Sequence, residues 1–218
     1  MKHAEAVIEA GGIPILVDID QDKLSKLEVF SAGAEKYCAD ITKEDELLEL
    51  LEFVKSKYNR LDGLVNNASV NPSMGREGVS NSSRLEDYSL DFLRFEMDVG
   101  LAGALLCTKV FGTYMSKTSK GVIVNISSDL GLIAPNQSLY KNPEIDDAFQ
   151  AVKPVGYSII KHGIIGLTKY ISSYWGAKGV RCNTIAPGGV FNNQDKKFIK
   201  KIKKEIPMKR MAEVEDFN

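Results

Sequence analysis

Gly121-Val-Ile-Val-Asn-Ile-Ser-Ser128-Asp-Leu-Gly131 is the stretch on which the reading of the chain turns. A short apolar run ending in two hydroxyls and a glycine reads as a buried strand leaving the core at its carboxyl end, where open α/β sheets place their ligands. Val180-Arg-Cys-Asn-Thr-Ile-Ala-Pro187-Gly188-Gly189 repeats the pattern with a tight turn, and the segment 63–66 exits into Asn66-Asn67-Ala68-Ser69. Working outward, strands are expected at 13–17, 36–38, 63–66, 122–126 and 180–185. Apolar positions recur at helical spacing over 22–30, 43–57, 90–117 and 157–175, the last closed by Gly176. Thr42 and Asp45 give the second of these a capping-box-like start. Strands alternating with helices predict an α/β architecture: a doubly wound parallel sheet covered on both faces. No repeat or linker divides the chain, so residues 1–218 are expected to form a single domain.

Composition narrows the function classes. Of 218 residues 44% are hydrophobic, and 28 basic side chains against 29 acidic leave a net charge of −1. Collagen-like and disordered chains are excluded, and so is the basic excess of a general nucleic-acid binder. No apolar stretch is expected to reach the roughly 18 residues that span a bilayer, and Glu5 and Glu9 interrupt any signal-like start. The expectation is a cytoplasmic protein without nucleic-acid or membrane partners. Cys38, Cys107 and Cys182 lack a Cys-x-x-Cys spacing and read as small apolar residues. With only His3 and His162, no metal site is expected, and any catalysis must use other groups.

Two long segments break the rhythm. Residues 67–89 are rich in Gly, Ser and Asn, and 134–156 are polar and bracketed by Pro135 and Pro154. Loops of this length belong either to binding and lid regions or to disordered surface insertions. Charge is also uneven: residues 1–150 hold 15 basic and 24 acidic side chains, residues 151–218 hold 13 and 5. Lys196, Lys197, Lys200, Lys201, Lys203 and Lys204 surround Phe198, Ile199 and Ile202 at helical spacing, the pattern of a solvated amphipathic helix. The sharper alternative is that some of these lysines meet a phosphorylated or otherwise anionic substrate.

Tyr157-x-x-x-Lys161 carries the candidate chemistry. Residues four apart on a helix share a face, so a phenol and an ammonium can address one bound molecule. A free phenol titrates near pH 10, so proton transfer at neutral pH requires its anion to be stabilised, which a neighbouring ammonium supplies. The spacing alone is common, usually joining a half-buried ring to a surface charge. The three strand exits around it make chance a poor explanation.

Taken together these motifs resemble the short-chain dehydrogenase/reductase family, over essentially the whole chain. The resemblance implies a Rossmann-like fold and hydride transfer between nicotinamide and a secondary alcohol or ketone. It implies Ser128, Tyr157 and Lys161 as catalytic residues: Ser128 polarises the substrate oxygen, Tyr157 moves the hydroxyl proton, and Lys161 holds the nicotinamide ribose and depresses the Tyr157 pKa. Asn66, Asn67 and Ala68 would border the adenosine, Asp40 the adenine, and Pro187, Gly188 and Val190 the nicotinamide. Asp18 would hydrogen-bond a ribose 2′-hydroxyl and repel a 2′-phosphate, favouring NAD over NADP. Tyr140 rivals Tyr157, lying 12 rather than 29 residues after Ser128, but Glu144 four residues on would raise its pKa. Ala134-Pro-Asn-Gln, Lys153-Pro-Val and Gly188-Gly-Val-Phe-Asn-Asn-Gln194 are similar to members associated with surface-polysaccharide and flagellin-glycan sugars. A homodimer or homotetramer, assembled through the helices at 90–117 and 157–175, is implied as well. A catalytically silent nucleotide-binding or assembly subunit is the rival reading.

The sequence departs from the family pattern at three places. Gly100 stands where the family usually has the Asn of a proton relay, so slower proton exchange or a water-filled gap is expected. Asn192 replaces a frequent Thr. The chain starts in what should be the first helix and stops near what should be a last helix and strand. The first strand and its Gly-rich pyrophosphate turn are therefore expected to be missing, leaving two inner strand edges open. On this reading the chain is an internal portion of a larger enzyme and binds NAD poorly by itself.

Overall fold

A computed structural model of the chain describes residues 2–27, 33–70 and 83–217. Strand β1 (Ile15–Asp18) pairs in parallel with β2 (Glu35–Cys38). A second parallel sheet has the order β3 (Gly63–Asn66), β4 (Gly121–Ile126), β5 (Val180–Ile185). Register places Asp18 beside Cys38, Asn66 beside Asn125 and Ile126 beside Ile185, so within each sheet the carboxyl ends open on one edge. The expected open edges are seen: among the described residues β1 pairs only with β2, and β3 only with β4.

The helices are α1 (Lys2–Glu9), α2 (Gln21–Ser25), α3 (Glu44–Tyr58), α4 (Leu90–Lys117), α5 (Val155–Trp175) and α6 (Lys196–Glu205). Leu47, Leu50, Leu51 and Val54 line one face of α3 and meet Cys107, Val110 and Phe111 of α4. Ile15, Tyr37 and Leu64 all pack on this cluster, so β1, β2 and β3 share one helical layer. Each fully buried side chain of this kind stabilises the fold by about 1.5–3 kcal/mol. A second core joins Met115 of α4, Ile123 of β4, Ile171 and Trp175 of α5, and Val180 and Cys182 of β5. Gly112 lets the Trp175 ring lie directly on α4; an added Cβ would collide with that ring and sit 3.2 Å from Ile123. Gly112→Ala is therefore expected to cost about 1–3 kcal/mol by overpacking, read as a lower denaturant midpoint at unchanged slope.

Several expectations are corrected. Helix α2 stops at Ser25, where Lys26 caps it, and positions 28–30 of the expected helix lie outside the described residues. So do 71–82 of the expected loop at 67–89. Helix α3 has no capping box from Thr42 and Asp45. Asp40 Oδ1 instead accepts from Thr42 N and Oγ1 (2.9 and 2.7 Å), and Glu46 Oε2 accepts from Asp40 N (2.7 Å). Helix α5 starts at Val155, two residues before Tyr157. Helix α4 includes π-helical segments at Asp98–Ala102 and Thr108–Gly112. It is also, by length and composition, apolar enough to cross a membrane, with a mean hydropathy of 1.2 over 18 residues. Half of that window is buried inside the fold, where α4 contributes to both cores. Of the three cysteines read as small apolar residues Cys38 is exposed, whereas burial pushes Cys107 up to about 12 and Cys182 up to about 11.

Candidate active site

Two reciprocal hydrogen bonds fasten α5 to the exit of β4. Ser127 Oγ donates to the Lys161 carbonyl (2.7 Å), and Lys161 Nζ donates to the Ile126 carbonyl (2.9 Å). Gly131 permits the approach: an added Cβ would lie 2.7 Å from the Lys161 carbonyl oxygen and collide with Ser127 Oγ. Ser128, also buried, accepts from Leu130 N (3.2 Å) and donates to Asp129 Oδ1 (2.7 Å). The β5 exit closes against it, because Asp129 N donates to the Pro187 carbonyl (2.9 Å), with Gly188 alongside the Asp129 carboxylate. Val190 is held by a parallel bridge to Ala212, beyond α6.

Tyr157 and Lys161 stand one turn apart on α5, and the tyrosine is half-buried. Burial raises the phenol above its ordinary value, hydrogen bonding with Ser128 opposes the rise, and the Asp129 charge adds to it. This corrects the expected depression by Lys161. The Lys161 ammonium lies 5.6 Å from the ring centroid and is turned to the Ile126 carbonyl. Its own pKa is lowered by burial and then by Lys153. Lys153 is nearer the phenol, with Nζ 3.9 Å from the ring centroid.

The rival Tyr140 packs on Phe198 of α6, with centroids 5.5 Å apart. Its pKa is raised by burial and then by Asp129 and Tyr157, not by Glu144, whose exposed carboxylate lies 4.0 Å from Lys197 Nζ. The segment at 134–156 is tied down by side chains. Lys201 Nζ donates to the carbonyls of Lys141 (2.8 Å) and Ser138 (3.2 Å), and Gln150 Nε2 donates to the Asn142 carbonyl (2.7 Å). At Gly100 an added Cβ would sit 2.9 Å from Ile160 Cγ2, so the missing side chain lets α4 and α5 close together.

The remaining expected residues stand at strand ends. Asn66 Nδ2 donates inward to Asn125 Oδ1 (2.8 Å) and Thr108 Oγ1 (3.1 Å), while Asn67 and Ala68 are exposed beyond β3. Asp18 is exposed at the end of β1 and accepts from Asp20 N (2.9 Å). Asp40 is half-buried, its carboxyl held below the ordinary carboxylate range first by the Thr42 hydroxyl. The structure brings Ser128, Tyr157 and Lys161 together around the β4 exit, with Pro187 and Gly188 beside it. Asp18 ends β1 and Asp40 follows β2, so both belong to the exits of the separate two-stranded sheet.

Asp129 and Lys153 were missed by sequence reasoning. Asp129 adjoins the candidate serine and could have been noticed there, whereas Lys153 was singled out only within Lys153-Pro-Val, with nothing local to place it beside Tyr157. Because the Asp129 charge raises the Tyr157 phenol, Asp129→Asn is expected to let it ionise at lower pH. The check is the pH dependence of kcat/KM, whose Tyr157 limb should move toward acid.

Comparison with known proteins shows the family and the fold. The profile of the family described as short chain dehydrogenase matches residues 1–141, and that described as Enoyl-(Acyl carrier protein) reductase matches residues 148–218. Post-translational flagellin modification protein A of Campylobacter coli is 28% identical over 216 residues, covering 96% of this chain and 80% of its own. A short chain dehydrogenase from Leptospira borgpetersenii, solved with bound NAD+, superposes with a TM-score of 0.81 at 26% identity, over 97% of this chain and 75% of its own. The NADP-bound structure of ElxO shares the fold, with a TM-score of 0.80 at 24% identity over 99% of this chain and 82% of its own. Its sequence profile and its parallel strands place the chain in the short-chain dehydrogenase family, with a doubly wound α/β fold.

Proposed function

We propose that the protein is an NAD(P)-dependent oxidoreductase acting on a secondary alcohol or ketone, with NAD favoured. The observation that carries this is the half-buried Tyr157 phenol held between the Ser128 hydroxyl and the Lys153 and Lys161 ammoniums at the β4 exit. The residues fit the two nucleoside ends of a dinucleotide, with no pyrophosphate-binding turn among them: Lys161 has donors left beyond its bond to Ile126, Asn67 and Ala68 are exposed at the β3 exit, and Asp18 presents an exposed carboxylate at the end of β1. Bound NAD(P) would accept or supply the hydride. Ser128 orients the substrate oxygen by hydrogen bonding. Tyr157 takes the hydroxyl proton in the oxidative direction and returns it in the reductive one. Lys161 supplies a fixed positive charge beside that proton transfer.

The finer assignments rest on less. A carboxylate at Asp18 repels a 2′-phosphate, which supports NAD over NADP. A sugar derivative as substrate, phosphorylated or nucleotide-linked, is supported by the sequence resemblance given above and by the exposed lysines of α6; the Campylobacter relative is named for flagellin modification. A homodimer or homotetramer through α4 and α5 is supported by their exposed Phe95, Leu105, Ile159, Tyr170 and Tyr174. The test is reduction of NAD and of NADP by a panel of secondary alcohols that includes sugar derivatives. Turnover with NAD supports the reading, while cofactor binding without turnover of any alcohol or ketone favours the catalytically silent alternative.

A further inference from the structure

The expected motif accounts for one ammonium near Tyr157, and the fold supplies two. Lys153 lies in the 134–156 segment, two residues ahead of α5, and its main chain is gripped at both polar groups by one side chain. Lys153 N donates to Gln137 Oε1 (2.8 Å), and Gln137 Nε2 donates to the Lys153 carbonyl (3.3 Å). Pro154 then sets the extended entry into the helix. So fixed, the Lys153 ammonium rests 3.9 Å from the centroid of the Tyr157 ring, nearer than the 5.6 Å of Lys161.

The surroundings supply counter-charge. Burial lowers the Lys153 pKa, and Asp129 on the β4 exit and Glu96 on α4 both act to raise it. The Glu96 carboxyl is buried, receives the Tyr88 hydroxyl, and has its Oε1 unpartnered among the described residues. Burial in turn raises the Glu96 carboxyl above its ordinary value, while Lys153 acts to lower it. Around Tyr157 stand Ser128 and Asp129 from the β4 exit, which shift its phenol, Tyr140 from the inserted segment, whose own phenol Tyr157 raises, and the ammoniums of Lys153 and of Lys161 on α5.

We propose that Lys153 is a positioning residue for Tyr157, a second cation on the ring face that holds the phenol at the β4 exit and favours its phenolate. This rests on Tyr157 being the proton-transfer group proposed above. A cation over an aromatic ring is attracted to the neutral ring and more strongly to the anion, so it lowers the phenolate state more than the phenol. Asp129 pushes the equilibrium the other way, and the inserted segment sets the balance between them.

The test is a pH titration of the full chain labelled with 13Cζ-tyrosine. The Tyr157 resonance is identified by its absence from Tyr157→Phe, and circular dichroism defines the pH range over which the fold is intact. Lys153→Met is expected to leave about three- to tenfold less phenolate than the unaltered protein at a given pH below the midpoint, and Lys153→Arg to restore most of it. Lys153→Gln makes the same comparison should the methionine variant fail to fold. Equal phenolate with and without the charge, or an arginine variant as displaced as the methionine one, would overturn the proposal. Native turnover in Tyr157→Phe would instead remove the proposed function, leaving the titration result standing. A dead Tyr157→Phe with an unmoved titration would remove only Lys153.

Discussion

Tyr157→Phe is expected to lower kcat/KM by about 10²- to 10⁴-fold, the usual contribution of a positioned acid–base group. The substitution removes one oxygen and keeps the ring, so the packing of α5 and the placement of Lys153 over the ring should survive. Dinucleotide binding, followed by fluorescence, should be little changed, which separates loss of proton transfer from loss of the site. Turnover within a few-fold of the unaltered protein would show that another group moves the proton. Tyr140, whose titration is coupled to Tyr157, would be the next to replace.

The second large effect is expected on stability, at Asn125. Its fully buried amide accepts from Asn66 Nδ2 of β3 (2.8 Å) and donates to Thr168 Oγ1 of α5 (2.8 Å). Thr168 in turn accepts from Thr184 Oγ1 of β5 (2.6 Å) and donates to the Ile164 carbonyl (2.9 Å). One side chain therefore joins three strands to the helix that carries Tyr157. Asn125→Ala leaves the Asn66 donor short of a partner and opens a void, at a combined cost of about 2–4 kcal/mol. For a chain of this size that is a fall in Tm of about 10 °C. A Tm within about 2 °C of the unaltered protein would mean that the network carries little of the stability.

The strand exits show how much of the site was legible. The 63–66 and 180–185 strands were readable to the residue, because a short apolar run followed by polar or glycine-rich residues is a local signal. The strand-end hydroxyls and the helical i, i+4 pair were local signals as well, while the choice of Ser128 rather than Ser127 came from the family resemblance. The length of α4 was readable from its periodicity, but its π-helical segments were not. The first of them includes Gly100, which faces Ile160 sixty positions away, a contact no local pattern records. The start of α3 was misread because Asp40 and Glu46 outcompeted the local capping pattern.

By itself the sequence determined the order of strands and helices, the edge on which polar side chains gather, and which tyrosine and lysine share a helical face. These follow from residue spacing, which geometry converts directly into faces and ends. Only the tertiary structure decided the electrostatic setting of Tyr157. It showed that burial and Asp129 raise the phenol, that Lys161 is turned to a carbonyl, and that Lys153 is the nearer cation. Desolvation and charge act through space, and the segments that supply them meet only when the chain is folded.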